Sequence, residues 1–394
     1  MKIDKMEYVQ RMEKLQKLIA ENEMDLFLVT AQDSIYYLTG VTYKPLERPF
    51  FLLLREKGKA VILVPALEKE HLSAAPNVSE VYSYWDYPAP AGEGWLDKLK
   101  GLLDGVGNIG VEPTAPLEIT KGLSNFNTRC LPLVEKVRIV KSENEVEMLR
   151  QSARFADTAI ARVIDNAYFG VSELELFSQG RKIQMNVIKN CEYDVLNTEI
   201  LAGAWPGPMS AQPHYVPAVG DRLKQGSHIA LTLMRVNGYS TECERTFFLE
   251  KPVKEAVDAF RTMLEARKLA FGMVKPGAKC SDIDIVTKEF LVKKGYGEKL
   301  LHRTGHGFGL GAHEGPWISE GSEDILEKNM LVSVEPGIYL VGIGGIRHSD
   351  TVLVTDDGCE SLTKYPTDIE SLTIASRKPF KRLMGSLVQK YMGL

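Results

Sequence analysis

The stretch Val137-Arg-Ile-Val-Lys-Ser-Glu-Asn-Glu-Val-Glu-Met-Leu149 divides this 394-residue chain in two. Ser142 stands three positions before Glu145, the spacing of a capping box. In that motif the serine hydroxyl accepts from the glutamate's backbone N–H, and the glutamate carboxylate accepts from the serine's. Val146, Leu149, Ala153, Ala156 and Ile160 follow at helical spacing, so the box opens a helix with one apolar face. Val137 to Lys141, just before it, reads as a strand-like exit from what precedes. The expected organisation is one domain over residues 1–135 and a second over 138–394.

Upstream, Val9, Met12, Leu15 and Ile19 mark a first helix. Short apolar runs at 25–30, 50–54, 60–64, 81–84 and 108–111 read as strands, with a helix over 94–103 between the last two. Strands interleaved with helices predict an α/β N-terminal domain. Downstream, helices near 172–188, 253–272 and 281–294 alternate with strands at 228–235, 245–249, 331–335 and 350–354, an α+β domain reaching about residue 375. Phe380, Leu383, Leu387 and Tyr391 give the tail, 377–394, an amphipathic helix that covers a neighbouring surface. No internal repeat is visible.

Composition removes several classes of function. Lys+Arg at 48 against Asp+Glu at 52 leaves a net charge of −4, with no basic excess to drive binding to a nucleic-acid backbone. The five cysteines (130, 191, 243, 280 and 359) form no CxxC pair, so neither a disulfide framework nor a cysteine zinc site is indicated. No apolar run reaches the ~18 residues of a membrane span. The charged start lacks the apolar core of a signal peptide, so the expected location is the reducing cytoplasm.

The chemistry concentrates in the second domain, which holds six of the seven histidines. His71, His228 and His302 read as surface or packing residues. The segment Thr304-Gly-His-Gly-Phe-Gly-Leu-Gly-Ala-His-Glu-Gly-Pro316 sets His306 and His313 among glycines, which let backbone approach a ligand or another strand closely. Its glycine spacing does not match a dinucleotide cradle. In Glu242-Cys-Glu244-Arg-Thr246 the two carboxylates stand at i and i+2, hence on one face of a strand. Acids so close repel, and one pKa rises unless a cation lies between them. Cys243 then faces the other way and packs. Glu335, before Pro336, and the hinge Gly344-Gly-Ile-Arg-His348 bring polar groups to the ends of buried strands.

In this order, these pieces resemble the pita-bread family of creatinase, aminopeptidase P, prolidase and methionine aminopeptidase. The resemblance covers nearly the whole chain. It rests on Pro213-His214, Gly238-Tyr239, Glu244-Arg-Thr246, Gly305-His306-Gly, His313-Glu314, Glu335-Pro-Gly-Ile-Tyr339, Gly345-Ile-Arg347 and Asp350-Thr-Val as a set. Residues 137–145 resemble the family's linker into its catalytic half. The implied fold is an α/β N-terminal domain plus an α+β pita-bread catalytic domain, in a homodimer that acts on a small molecule or dipeptide, with no nucleic-acid or membrane partner.

Peptidases of this family hold two divalent metals through Asp, Asp, His, Glu and Glu. By the resemblance, His306 and Glu335 match the histidine and the first glutamate. Glu242 falls on the second aspartate, Leu231 on the first aspartate, and Ser349 on the last glutamate. No dinuclear site is then expected. A single residual site from Glu242, His306 and Glu335 is left for manganese, zinc or cobalt, with His348 as a substitute ligand.

Depleted ligands resemble creatinase, whose chemistry needs no metal. The leading expectation is therefore a creatinase-like hydrolase that cleaves a C–N bond in a carboxylate-bearing amidine, guanidino or amide substrate, with no cofactor. His214 would act as base and then acid, Glu244 with Glu242 would hold the cationic end, and His306 and His313 would donate to developing negative charge. Glu335 would orient a histidine or water, Arg48, lent to the partner subunit's site, would bind the substrate carboxylate, and His348 would border the substrate. The creatinase position that carries a second guanidinium-binding glutamate is His348 here. One alternative is an Xaa-Pro dipeptidase or aminopeptidase with a single metal. Another is a non-catalytic binding protein on the same fold.

Overall fold

The computed structural model describes residues 3–218, 220–376 and 378–392. The chain divides into two compact units between Arg138 and Ile139.

In the N-terminal unit, six strands form one mixed sheet in the order Val78–Tyr84, Ala60–Pro65, Phe51–Leu54, Leu26–Val29, Asn108–Val111, Asn127–Cys130. Leu26–Val29 runs antiparallel to Phe51–Leu54 and parallel to Asn108–Val111. Its four residues are all buried, which is why the sequence shows a continuous apolar run there rather than an alternation. Leu26, Leu28, Phe51, Leu63, Leu99 and Ile109 share one core.

The expected strand at 137–141 is not formed. Val137 and Arg138 end a helix, Leu133–Arg138, whose Leu133, Val134 and Val137 point inward. Their i, i+1, i+4 spacing is helical, and the β-branched Val137, Ile139 and Val140 conceal it.

The C-terminal unit is built on a nine-stranded sheet. Its main path runs Glu314–Ile318, Gly305–Gly307, Leu331–Val334, Ser349–Val354, Tyr239–Leu249, Gly226–Val236, Glu199–Trp205. Gly337–Leu340 and Gly344–Arg347 form a separate hairpin. The Ser142–Glu145 capping box closes as expected and starts the helix Glu143–Asn166. Ala156, Ala159, Ile160 and Val163 of that helix share a core with Ala230, Met234, Cys243 and Phe247 of the two longest strands.

Those strands, Gly226–Val236 and Tyr239–Leu249, are joined by Asn237-Gly238, both with positive φ (50° and 90°). Asn-Gly is the favoured pair for such a hairpin turn. The second strand therefore begins six residues before the 245 expected, and Glu242 and Glu244 stand in mid-strand. All eleven of its residues are buried. The tail helix spans Pro379–Met392. Phe380, Leu383, Leu387 and Tyr391 on it are exposed (56–90%), so the helix does not bury its apolar face as expected. Among the described residues, no helix is long and apolar enough to cross a membrane.

Candidate active site

Sheet register sets the polar residues in place. Leu231 pairs with Glu244, and Glu244 pairs with Ser349, so these three lie in one row across three strands. Leu233 pairs with Glu242 in the next facing row. As expected from their i, i+2 spacing, Glu242 and Glu244 share one face; it lines a cavity of about 600 Å³. Arg245 points the other way, to Asp350 at 2.7 Å.

His306 sits on the short strand Gly305–Gly307, and the flanking glycines have a steric reason. A Cβ on Gly305 would collide with the Ser333 carbonyl oxygen, and one on Gly307 with the Gly315 carbonyl oxygen. The strand can therefore approach both neighbours only with glycine at these two positions. The His306 backbone N–H donates to Ser333 Oγ at 2.9 Å, and Ser333 Oγ donates to Glu335 at 3.3 Å. His306 Nδ1 lies 3.1 Å from the Gly307 carbonyl oxygen. A carbonyl can only accept, so Nδ1 carries the proton and Nε2 presents its lone pair. Nε2 is 3.3 Å from Glu335 Oε1, out of line for a hydrogen bond, and it is a buried atom without a hydrogen-bond partner among the described residues.

Glu242 Oε1 is a second such atom. Burial, and then the Glu244 and Glu335 charges, push Glu242 well above the usual carboxylate range. Burial also pushes Glu335 upward, but His306, His302 and Arg347 outweigh it and hold that carboxyl at about 2. His306 and His313 are stacked, with ring centroids 3.8 Å apart. Desolvation, and then His306, push His313 down to about 4.

Glu244 is already engaged. Arg347 grips it with both arms: Nη2 donates to Oε1 at 2.6 Å, and Nε donates to Oε2. Arg347 Nη1 donates to the Tyr339 hydroxyl oxygen at 2.9 Å, and Tyr339 Oη lies 2.7 Å from His302 Nε2. His302 Nδ1 is 2.7 Å from the Arg303 carbonyl oxygen, so Nδ1 carries the proton and Nε2 accepts from Tyr339. This is a fixed buried relay from Glu244 to His302. Sequence reasoning treated His302 as a packing residue and gave Arg347 and Tyr339 no role. His302, four residues before His306, and Arg303 both line the cavity.

The structure gathers His214, His313, Glu242, Glu244 and Glu335 around one cavity, with His306 in contact with both His313 and Glu335. One expected site residue lies elsewhere. His348 is fully buried against Phe260, with Nδ1 3.2 Å from the Thr246 N–H and Nε2 3.2 Å from the Thr367 carbonyl oxygen. It does not border the cavity, because the strand's alternation turns it away from Arg347 and Ser349. Arg48 belongs to the N-terminal unit, where its Nε donates to Asp86 at 2.6 Å, so a carboxylate of the chain itself already engages it.

Glu242 heads two groups of three ligand atoms, each within 4.8 Å: one with His306 and His313, the other with Glu244 and Glu335. The expected triad of Glu242, His306 and Glu335 is not among them. In the second group Arg347 holds both Glu244 oxygens, which leaves poor room for a further cation. The first offers two imidazoles and a carboxylate, from the two residues that carry the unpartnered atoms and from His313, and fits one divalent ion. With Leu231 and Ser349 in the row beside Glu244, the described residues do not supply a second ion with a set of its own.

Fold and site together define a pita-bread hydrolase: the chain belongs to metallopeptidase family M24, whose model matches residues 147–356, preceded by a creatinase/prolidase N-terminal domain over 11–151. It is 32% identical over 360 residues to an uncharacterised peptidase from Staphylococcus aureus, covering 90% of this chain and 99% of that protein. Among solved structures it resembles the prolidase from Pyrococcus horikoshii (TM-score 0.78, 27% identity, 91% of this chain and 99% of that one). It also resembles the Xaa-Pro dipeptidase from Bacillus anthracis (TM-score 0.79, 26% identity, 92% and 99%).

Proposed function

We propose that the protein is a dipeptidase of the Xaa-Pro type that hydrolyses the amide C–N bond of dipeptide-sized substrates with one divalent metal. The observation that carries this reading is the convergence of Glu242, His306 and His313, with one ligand atom of each within 4.8 Å of the others, while Glu242 Oε1 and His306 Nε2 are buried without hydrogen-bond partners among the described residues. Buried acceptors left without a partner are costly unless a cation or proton satisfies them. An ion held by Glu242, His306 and His313 would supply Lewis-acid polarisation of the scissile carbonyl.

The chain's own residues carry the remaining work. Phe177, Trp205, Val216, Leu231 and Leu233 give the cavity apolar walls, suited to a proline ring or an apolar side chain. Glu335, held ionised, adds negative charge 3.3 Å from His306 Nε2 and is itself fixed by Ser333. His214, exposed on a loop at the cavity, takes a proton from water and returns one to the leaving nitrogen. The names of the Pyrococcus and Bacillus neighbours agree with this substrate class. The creatinase-like alternative asks Glu244 to hold a substrate cation, and Arg347 already fills that role. Homodimeric assembly and a cytoplasmic location accompany this reading as implications of the sequence.

Elemental analysis of protein purified without chelator tests the proposal. About one equivalent of manganese, zinc or cobalt is expected, with Gly-Pro hydrolysis lost to EDTA and restored by the ion. His306→Ala lowers the metal content. Two equivalents, or undiminished Gly-Pro turnover in chelator, would overturn it.

A further inference from the structure

The cavity's charged side chains do not balance. Glu242, Glu244 and Glu335 face it, together with two arginines, Arg347 and Arg303. Arg347 is spent on Glu244 and Tyr339. Arg303 makes no side-chain hydrogen bond and no ion pair among the described residues, and its Nε is a buried atom without a partner. A guanidinium with no ion-pair partner among the described residues is an incomplete arrangement, because its Nε–H has lost water and gained no acceptor in return.

Its surroundings hold it ready. The guanidinium lies over the Trp317 ring, 4.7 Å from the centroid. Stacking uses the face of the planar group and leaves its N–H edge free for a carboxylate. The backbone is fixed on both sides. His302 Nδ1 donates to the Arg303 carbonyl oxygen at 2.7 Å, and the Thr304 N–H and hydroxyl both donate to the buried Asp284 at 2.8 Å. Arg303 stands in the wall between the cavity and a neighbouring cleft of about 940 Å³. Its charge reaches His313 on the cavity side.

We propose that Arg303 is a specificity residue that binds the free carboxylate of the substrate, so that the site selects unblocked dipeptides over their C-terminal amides. This inference rests on the dipeptidase reading for its substrate class. It transfers to Arg303 the role that sequence reasoning gave to Arg48.

Binding of Gly-Pro and of glycyl-prolinamide to the full-length protein, wild type, Arg303→Met and Arg303→Lys, tests it by calorimetry, with cleavage of both compounds followed in parallel. A charge-assisted pair of this kind is worth about 10- to 100-fold in affinity. Wild type therefore prefers the acid by about that factor, Arg303→Met treats acid and amide alike, and Arg303→Lys falls between. The preference appears in KM more than in kcat, because the contact is made equally in the bound ground state. Equal binding of acid and amide by wild type, or an unchanged preference in a folded Arg303→Met, overturns the inference. If Arg303→Met does not fold, the wild-type preference and its weakening in Arg303→Lys decide. Preference for the acid without cleavage sinks the dipeptidase reading and leaves Arg303 its role. Cleavage without preference does the reverse, and binding of neither compound overturns both.

Discussion

Replacing Arg347 by methionine isolates the electrostatics of the cavity. Arg347 is 7% exposed and Glu244 1%, and the two share two hydrogen bonds. Removing the arginine leaves Glu244 buried beside Glu335 and Glu242, with no side chain to compensate it. Breaking one partner of a buried pair costs about 3–5 kcal/mol. At roughly 2–4 °C per kcal/mol for a domain of a few hundred residues, the melting temperature falls by about 6–20 °C. The sign of the pH dependence follows. Burial already raises Glu244 above the ordinary 4.5; without Arg347, burial and the Glu335 charge raise its folded pKa further. The stability lost is then greatest at neutral pH, shrinks as the pH falls through the raised folded pKa, and vanishes below 4.5, where the carboxyl is protonated in both states. Glu244→Gln added to Arg347→Met removes the orphaned charge and regains most of the loss. Thermal melts and urea titrations of the four proteins, at pH 7 and pH 5, make the measurement. A double variant no more stable than Arg347→Met, or an Arg347→Met melt indistinguishable from wild type, would refute the reasoning.

Three further outcomes are expected. Gly307→Ala forces a Cβ onto the Gly315 carbonyl oxygen; a loss of about 2 kcal/mol with reduced metal content at His306 is expected, and an unchanged urea midpoint would contradict it. Burial pushes His228 down to about 4 from 6.5 and His348 to about 3. Both groups bind protons more readily when unfolded, so stability falls with pH below 6.5, by roughly 3 kcal/mol for His228 and roughly 4 kcal/mol for His348 once each folded pKa is reached; urea denaturation across pH 7 to 4.5 that shows no decline would count against this. Ser142→Ala removes the hydroxyl that accepts from the Glu145 N–H at 3.1 Å and costs about 0.5–2 kcal/mol, read as a shifted melt; no shift would show that the cap is dispensable.

What could be read from the sequence was local. The Ser142–Glu145 box, the common face of Glu242 and Glu244, and the glycines around His306 each depend on residues a few positions apart, and each took the expected form. The misreadings came from partners distant in the chain. That Arg347 would fill the cation seat at Glu244 depends on strands brought together across 103 residues, and no local pattern shows it. His302 was passed over because a histidine outside the glycine run has no local mark, and only Tyr339, 37 residues away, gives it a place. His348 was read into the site from its neighbours, although strand alternation turns it away from them. The Asn237-Gly238 pair was a readable hairpin signal and would have placed the start of the second long strand.

The Arg347–Glu244 pair gives the cavity a countercharge built into the polypeptide. An ion can be stripped by a chelator or lost when transition metals run short, whereas a side chain is synthesised with the chain. The folded state of this hydrolase should therefore depend less on metal supply than that of a relative whose clustered acids are neutralised by ions alone.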